Sequence, residues 1–99
     1  MQKKEFVKRL ARRIGESERT CKWMTEEVIE ELSLVMEDGD SVKFRGFGTF
    51  GVKRRNARRG YNMATGEELQ VPAYVVPMFR AGDDLKSRVA EHNPVEVAP

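Results

Sequence analysis

Apolar residues recur along this chain with two periods, every three to four residues at first and every second residue later. Phe6, Val7, Leu10, Ala11 and Ile14 fall on one face of a helix, and Gly15 is placed to end it. The back of that helix carries Lys3, Lys4, Lys8, Arg9, Arg12 and Arg13 against the single acid Glu5. So short a helix with five moderate apolar residues suits a protein core better than a membrane surface or a transit peptide. Ser17 is a suitable N-cap for a second helix running to about Asp38. Its stripe is Cys21, Met24, Val28, Leu32, Val35 and Met36, widened by Ile29 and Leu34. Glu26, Glu27, Glu30, Glu31 and Glu37 are expected mostly to face water. Trp23 lies off the stripe, as either a second contact surface or a helix-packing aromatic, and the latter is expected. Gly39 closes the helix in the turn Asp38-Gly39-Asp40.

From Ser41 the period becomes two, with Val42 and Phe44, then Phe50 and Val52 after a Gly-Phe-Gly interruption. Asn62-Met63-Ala64-Thr65-Gly66 is a turn signal joining strands expected over 52–61 and 67–76. Pro72 confines the return strand to an edge or a free ribbon. A short helix is expected over 83–91, with Asp83 and Asp84 at its positive end and Leu85 and Val89 as its apolar pair. Residues 92–99 read as a flexible tail. Two helices, a three-stranded antiparallel sheet with a long hairpin, and a last helix make an α+β domain over 1–91.

The chain has 99 residues and 11.4 kDa, enough for one domain. Hydrophobic residues make up 39%, so its core is small. No apolar run approaches the ~18 residues of a membrane span, and no signal-like h-region follows the start. These readings set aside a multidomain enzyme, a transporter and a secretory precursor. The one cysteine, Cys21, forms no intrachain disulfide, which fits a reducing, cytoplasmic compartment. Cys21 and His92, 71 positions apart, make no metal cluster.

Charge changes the picture through its distribution. Residues 41–66 contain no Asp or Glu, yet hold Lys43, Arg45, Lys53, Arg54, Arg55, Arg58 and Arg59. The rest of the chain keeps eleven of the 18 basic residues and all 16 acidic ones, so an acidic body carries one cationic segment. Seven like charges without counterions repel one another, and a polyanion relieves that repulsion. Nucleic acid is the expected partner.

Gly46-Phe47-Gly48-Thr49-Phe50-Gly51 satisfies the dinucleotide-binding pattern G-x-G-x-x-G, and Glu67 and Glu68 follow at a suitable distance. That motif needs a helix to open after the glycines, and Val-Lys-Arg-Arg-Asn has no helical apolar face. The glycines are better read as a tight strand connection. Ser17, Ser33, Ser41 and Ser87 share one candidate base, His92, in the expected tail, so no catalytic constellation forms. No enzyme activity, metal or cofactor is expected.

Gly46-Phe47-Gly48-Thr49-Phe50, followed by Arg55, Arg58, Gly60, Asn62 and Thr65-Gly66, closely resembles the signature of the bacterial HU and integration host factor family. Pro77, Phe79-Arg80, Gly82 and Leu85-Lys86 continue the likeness, which spans about residues 3 to 90. The resemblance implies an intertwined dimer whose two β-ribbon arms, about residues 53–76, reach around duplex DNA through the minor groove. It places the protein in the cytoplasm on the nucleoid, as a histone-like, non-enzymatic DNA bender without a small-molecule substrate. Lys53, Arg54, Arg55, Arg58 and Arg59 would neutralise phosphates and enter the groove, with Tyr61, Asn62 and Met63 at the tip. Arg45, Gly46, Lys3, Arg80 and Lys86 would extend the contact to the body and flanks.

Three positions depart from the family pattern. Its tip carries Asn-Pro, whose proline wedges between base pairs, where this chain has Asn62-Met63. Tyr61 stands in place of a basic residue, and Asp83 at a position often basic in HU. Arg45 before the glycine motif, and Leu85-Lys86-Ser87-Arg88-Val89, lean towards integration host factor. A hairpin of about 25 residues leaves roughly 70 for the body, too few for a secure core alone. Leu32, Met36, Phe44, Phe47, Phe50 and Phe79 are therefore expected at a two-fold interface, with an identical or a paralogous subunit. Two other readings stand beside DNA bending: a double-stranded RNA binder, and a protein-interaction module using the cationic hairpin.

Overall fold

A computed structural model describes residues 1–95. Helices α1 (Lys3–Ile14) and α2 (Glu18–Glu37) precede strands β1 (Val42–Phe44), β2 (Gly48–Arg55), β3 (Arg58–Tyr61), β4 (Glu68–Val71) and β5 (Tyr74–Ala81), and α3 (Asp83–His92) ends the fold. The expected caps form. Ser17 Oγ accepts from the Thr20 backbone N–H at 3.1 Å, relieving a donor that the first turn of α2 leaves free. At the other end of α2, Gly39 N–H donates to Met36 and Asp40 N–H to Val35, a Schellman closure.

The α1–α2 seam buries Val7, Ala11 and Cys21 with Leu10 packed alongside, and Cys21 keeps 2% of its surface. Phe6 and Ile14, expected on the same stripe, remain about half exposed. Trp23 corrects its expectation more clearly. It is 59% exposed, because two residues past Cys21 the helix has turned ~200° away from the seam.

Strands β1, β2 and β5 form an antiparallel sheet in the order β1-β2-β5, and β3 pairs with β4 in a separate ribbon. The β1–β2 connection is a turn in which Phe47 N–H donates to the Phe44 carbonyl at 2.9 Å. Gly46 occupies it with φ 83, a left-handed conformation that side chains resist. Gly48 opens β2 against β5, where a Cβ would lie 2.4 Å from the Phe79 ring and 2.5 Å from the Arg80 carbonyl oxygen. The glycine-rich motif therefore builds a strand turn and a close strand pairing. From α3, Leu85 N–H donates to the Gly46 carbonyl at 3.1 Å, which docks the helix on that turn.

The hairpin differs from expectation in one respect. Its strands are interrupted at Asn56-Ala57 and at Pro72-Ala73 rather than continuous. Arg55 pairs with Tyr74 below the break and Arg58 with Val71 above it, so the register is the same on both sides. Pro72 has no N–H to give the ladder, and the residues opposite lose their pairing with it. Pro77 is tolerated because β5 is an edge strand. His92, expected in the tail, is the last residue of α3, with its ring Nδ1 2.8 Å from the Arg88 carbonyl. Residues 96–99 of that expected tail lie outside the described residues.

The whole is open. Its radius of gyration is 19.5 Å, against about 13 Å for a compact chain of a hundred residues. Its accessible surface is 9046 Å², where a folded monomer of this mass exposes roughly 5,800 Å². None of the described helices is long and apolar enough to cross a membrane.

Candidate nucleic-acid interface

Residues paired across an antiparallel sheet point to the same face, and neighbours along a strand point to opposite faces. The register therefore sorts the three-stranded sheet into two chemistries. One face carries the rows Val42–Phe50–Phe79 and Phe44–Gly48–Ala81, extended by Val52 and Pro77. The other carries the row Lys43–Thr49–Arg80, then Gly51 and Met78, then Lys53 beside Val76 and Arg55 beside Tyr74.

The apolar face holds the expected interface residues. Phe50 stacks on Phe79 at 4.6 Å between ring centroids, Phe47 lies tilted against Phe79 at 5.5 Å, and Phe44 meets Phe50 edge-on at 6.1 Å. Separations of this order are those at which aromatic pairs attract beyond simple burial. The cluster is nonetheless unfinished, since Phe44, Phe47 and Phe79 keep 43%, 47% and 42% of their surfaces. Between α2 and β1 an apolar groove of about 240 Å³ runs past Val28, Leu32, Val35, Val42 and Phe44, and Met36 on α2 is half-buried.

The cationic row continues into the arm through Lys53 and Arg55, while Arg54, paired with Val75, lies on the opposite face. Lys53, Arg54, Arg55, Arg58 and Arg59 are all exposed. Of these five, only Arg59 has an ion-pair partner among the described residues, Glu68 across the ribbon at 3.3 Å. Arg55, Asn56, Arg58 and Tyr74 surround a cleft at the break in the arm. At the tip, Asn62 organises the turn. Its side-chain oxygen accepts from Ala64 N–H at 2.9 Å, its carbonyl from Gly66 N–H at 2.7 Å, and its own N–H donates to Glu67 at 2.8 Å. Tyr61 beside it is 70% exposed, and the Met63 side chain is 99% exposed.

The flanking residues divide. Arg45 and Arg80 share a cleft of about 450 Å³ with Lys43, Thr49 and the acids Asp83 and Asp84. Gly46 serves its turn, and the Asp84 carboxylate lies where a Cβ would stand. Lys86 is exposed on α3, one residue past the Leu85 that docks the helix. Lys3 lies elsewhere, in a cleft between α1 and α2 with Lys4, Lys8, Arg19 and Lys22. Its ammonium donates to Glu26 at 2.7 Å. That hydrogen bond outweighs the opposing effect of desolvation and, with lesser help from the charges of Lys3 and Lys22, holds the Glu26 carboxyl below the usual glutamate range. Sequence reading passed over Thr49 and did not place Lys43 beside Arg80. The signal was the two-residue period, since Lys43 alternates with Val42 and Phe44. No group of three His, Cys, Asp or Glu placed to hold a metal occurs among the described residues.

Residues 1–90 match the model of a family described as bacterial DNA-binding protein. Integration host factor subunit alpha of Shewanella loihica is 41% identical over 91 residues, covering 92% of this chain and 93% of that protein. The same subunit of Proteus mirabilis is 39% identical over 94 residues, 95% of this chain and 96% of its own length. Among solved structures, Anabaena HU in a cocrystal with DNA superposes with a TM-score of 0.87 at 32% identity, covering 91% of this chain and 98% of that one.

Proposed function

The chain belongs to the family of bacterial DNA-binding proteins that includes HU and integration host factor, and from that premise we propose how it acts. It is a dimeric architectural protein that binds duplex DNA and bends it through the minor groove, on the bacterial nucleoid and without catalysing a reaction. The observation that carries this reading is the cationic face, which runs from Lys43 and Arg80 on the sheet, beside Asp83 and Asp84 at that end, through Lys53 and Arg55 into the arm. A polyanion with regularly spaced phosphates complements such a strip, and release of its counterions drives the association. Two strand backbones about 4.8 Å apart are narrow enough for a groove about 6 Å wide, whereas a helix is not.

Each residue then has a task. Arg54, Arg55, Arg58 and Arg59 meet phosphates and groove walls, while Arg45, Arg80 and Lys86 hold the DNA on the body. Lys3 reaches a flank only by giving up Glu26. Asn62 fixes the turn, Tyr61 supplies a ring for sugar contact, and Met63 is the wedge that enters a base step. An apolar side chain placed at the extreme of a cationic arm has no core to fill and suits unstacking. The apolar face and the α2–β1 groove are covered by the second subunit.

Energy transfer between dyes on the ends of a duplex of about 35 base pairs, well below the persistence length, reads the bend. Met63→Ala should keep most of the electrostatic binding and bend the duplex less, and its preference for nicked DNA should persist. Equal bends at saturation would remove the wedge role. Equal competition by an RNA duplex of the same length would overturn the DNA assignment, and absence of any shift on DNA would leave a protein partner.

A further inference from the structure

We propose that the Met63 thioether is a redox-sensitive site, at which oxidation by a hydroperoxide converts the arm from a DNA-bending to a merely DNA-binding state. The inference rests on the wedge reading of Met63 given above. Of the chain's methionines, Met63 is the residue most open to solvent. The Met63 side chain is 99% exposed, that of Met1 81% and that of Met24 47%, while the one thiol, Cys21, is buried in the α1–α2 seam. A hydroperoxide therefore meets Met63 without any unfolding, and the buried thiol of Cys21 does not compete for it.

A sulfur lone pair attacks the outer peroxide oxygen and the O–O bond breaks. That oxygen stays on sulfur as the sulfoxide, and the other leaves as water or an alcohol with the proton. Sulfur gives up two electrons and the peroxide gains them. A dithiol reductase reverses the change, its two thiols becoming a disulfide while the oxygen departs as water.

What this does to the arm follows from solvation. A thioether enters a base step at little desolvation cost, but a sulfoxide carries a strong acceptor dipole that finds no donor there. The turn itself does not depend on Met63, since its hydrogen bonds run through Asn62, Thr65 and Gly66. Oxidation thus leaves the tip folded and the arm's charge unchanged, and removes the wedge alone. A sulfur already inserted between bases is shielded, so kinked DNA and oxidant exclude one another at this atom.

The test uses full-length protein treated with dilute hydrogen peroxide, with sulfoxide located by peptide mass. The oxidised parent should bend the dye-labelled duplex no more than Met63→Ala does, while its affinity for linear DNA stays within about threefold, because the phosphate contacts are untouched. Affinity for a duplex that must be kinked should fall by about tenfold or more, from burying an unpartnered polar group. Reduction by a methionine sulfoxide reductase should restore the bend, and Met63→Leu should bend equally before and after peroxide. Saturating kinked DNA should slow oxidation of Met63 and not of Met1. Retention of the full bend by oxidised protein, or its loss by oxidised Met63→Leu, overturns the proposal. If Met63→Ala also keeps the full bend, the wedge reading has failed; if only the sulfoxide form keeps it, the switch alone has.

Discussion

The two faces of the three-stranded sheet are made from alternate residues of the same strands, and each is incomplete in its own way. Phe44, Phe50 and Phe79 on one side form an aromatic cluster that the chain's own helices cover only in part. Lys43, Arg80, Lys53 and Arg55 on the other gather charge that, among the described residues, only Asp83 and Asp84 at one end oppose. An apolar surface is completed by more apolar surface, and a second copy supplies it at the cost of association entropy alone. A cationic strip is completed by a polyanion, and the match loosens with salt. One strand thus specifies two unlike partners by its pleat, and losing one should leave the other measurable.

The largest expected effect breaks the apolar side. Gly48→Ala forces a Cβ into the Phe79 ring and the Arg80 carbonyl oxygen, and overpacking of this kind costs about 3 kcal/mol. For a chain of this size the thermal midpoint should drop by roughly 12–24 °C, and its rise with protein concentration should steepen as dimers dissociate. Unchanged melting would mean that the strand pairing does not hold the interface together.

Breaking the cationic side should leave melting alone. Arg55→Ala with Arg58→Ala removes four phosphate contacts per dimer, so the log–log salt slope of DNA binding should flatten by about 3 to 4. The matched pair Arg9→Ala with Arg12→Ala, on the back of α1, should change it much less. Equal slopes for the two variants would move the interface from the arm to the first helix.

Glu68→Gln sharpens the contrast by releasing Arg59 from its ion pair at 3.3 Å. An exposed pair of this kind contributes about 0.2–1 kcal/mol, so DNA affinity should rise by a factor of about 1.4 to 5 per arm at low salt. A fall in affinity would show that the pair positions Arg59 for contact.

The smallest effect concerns Glu26, which lies on neither face. Its carboxyl titrates below the unfolded value because Lys3 donates to it, so the contact stabilises the fold at neutral pH and is lost as pH falls through the lowered pKa. Parent and Glu26→Gln should therefore differ slightly in thermal midpoint at neutral pH and converge in acid. A difference that grows in acid would contradict this sign.

Much of the architecture was legible because local chemistry and global fold agree. Ser17, Gly15 and Gly39 marked helix ends, and the change of period at Ser41 marked the sheet. What escaped depended on neighbours distant in sequence. The basic residues of α1 and of the arm look alike in sequence, yet Lys3 has Glu26 within reach, 23 residues away, and Arg55 pairs with no acid among the described residues. For Trp23 the helix phase, off the stripe, is the better guide, and it outweighs the pull of an aromatic towards burial. The interruption of the arm was missed because Pro72 was read for what it forbids in its own strand, not for the partner it leaves unpaired.

That interruption divides the arm into two cooperative units with a common register. When the tip ribbon of β3 and β4 frays, the pairing from Arg55 with Tyr74 inwards keeps the two chains aligned, so re-zipping starts from the correct partners rather than searching for them. Amide protons above the break should consequently exchange through local opening at far lower free energy than those of β2 and β5 below it. The unpaired segments act as an expansion joint, through which the tip can be threaded, released and rethreaded while the root of the arm stays seated.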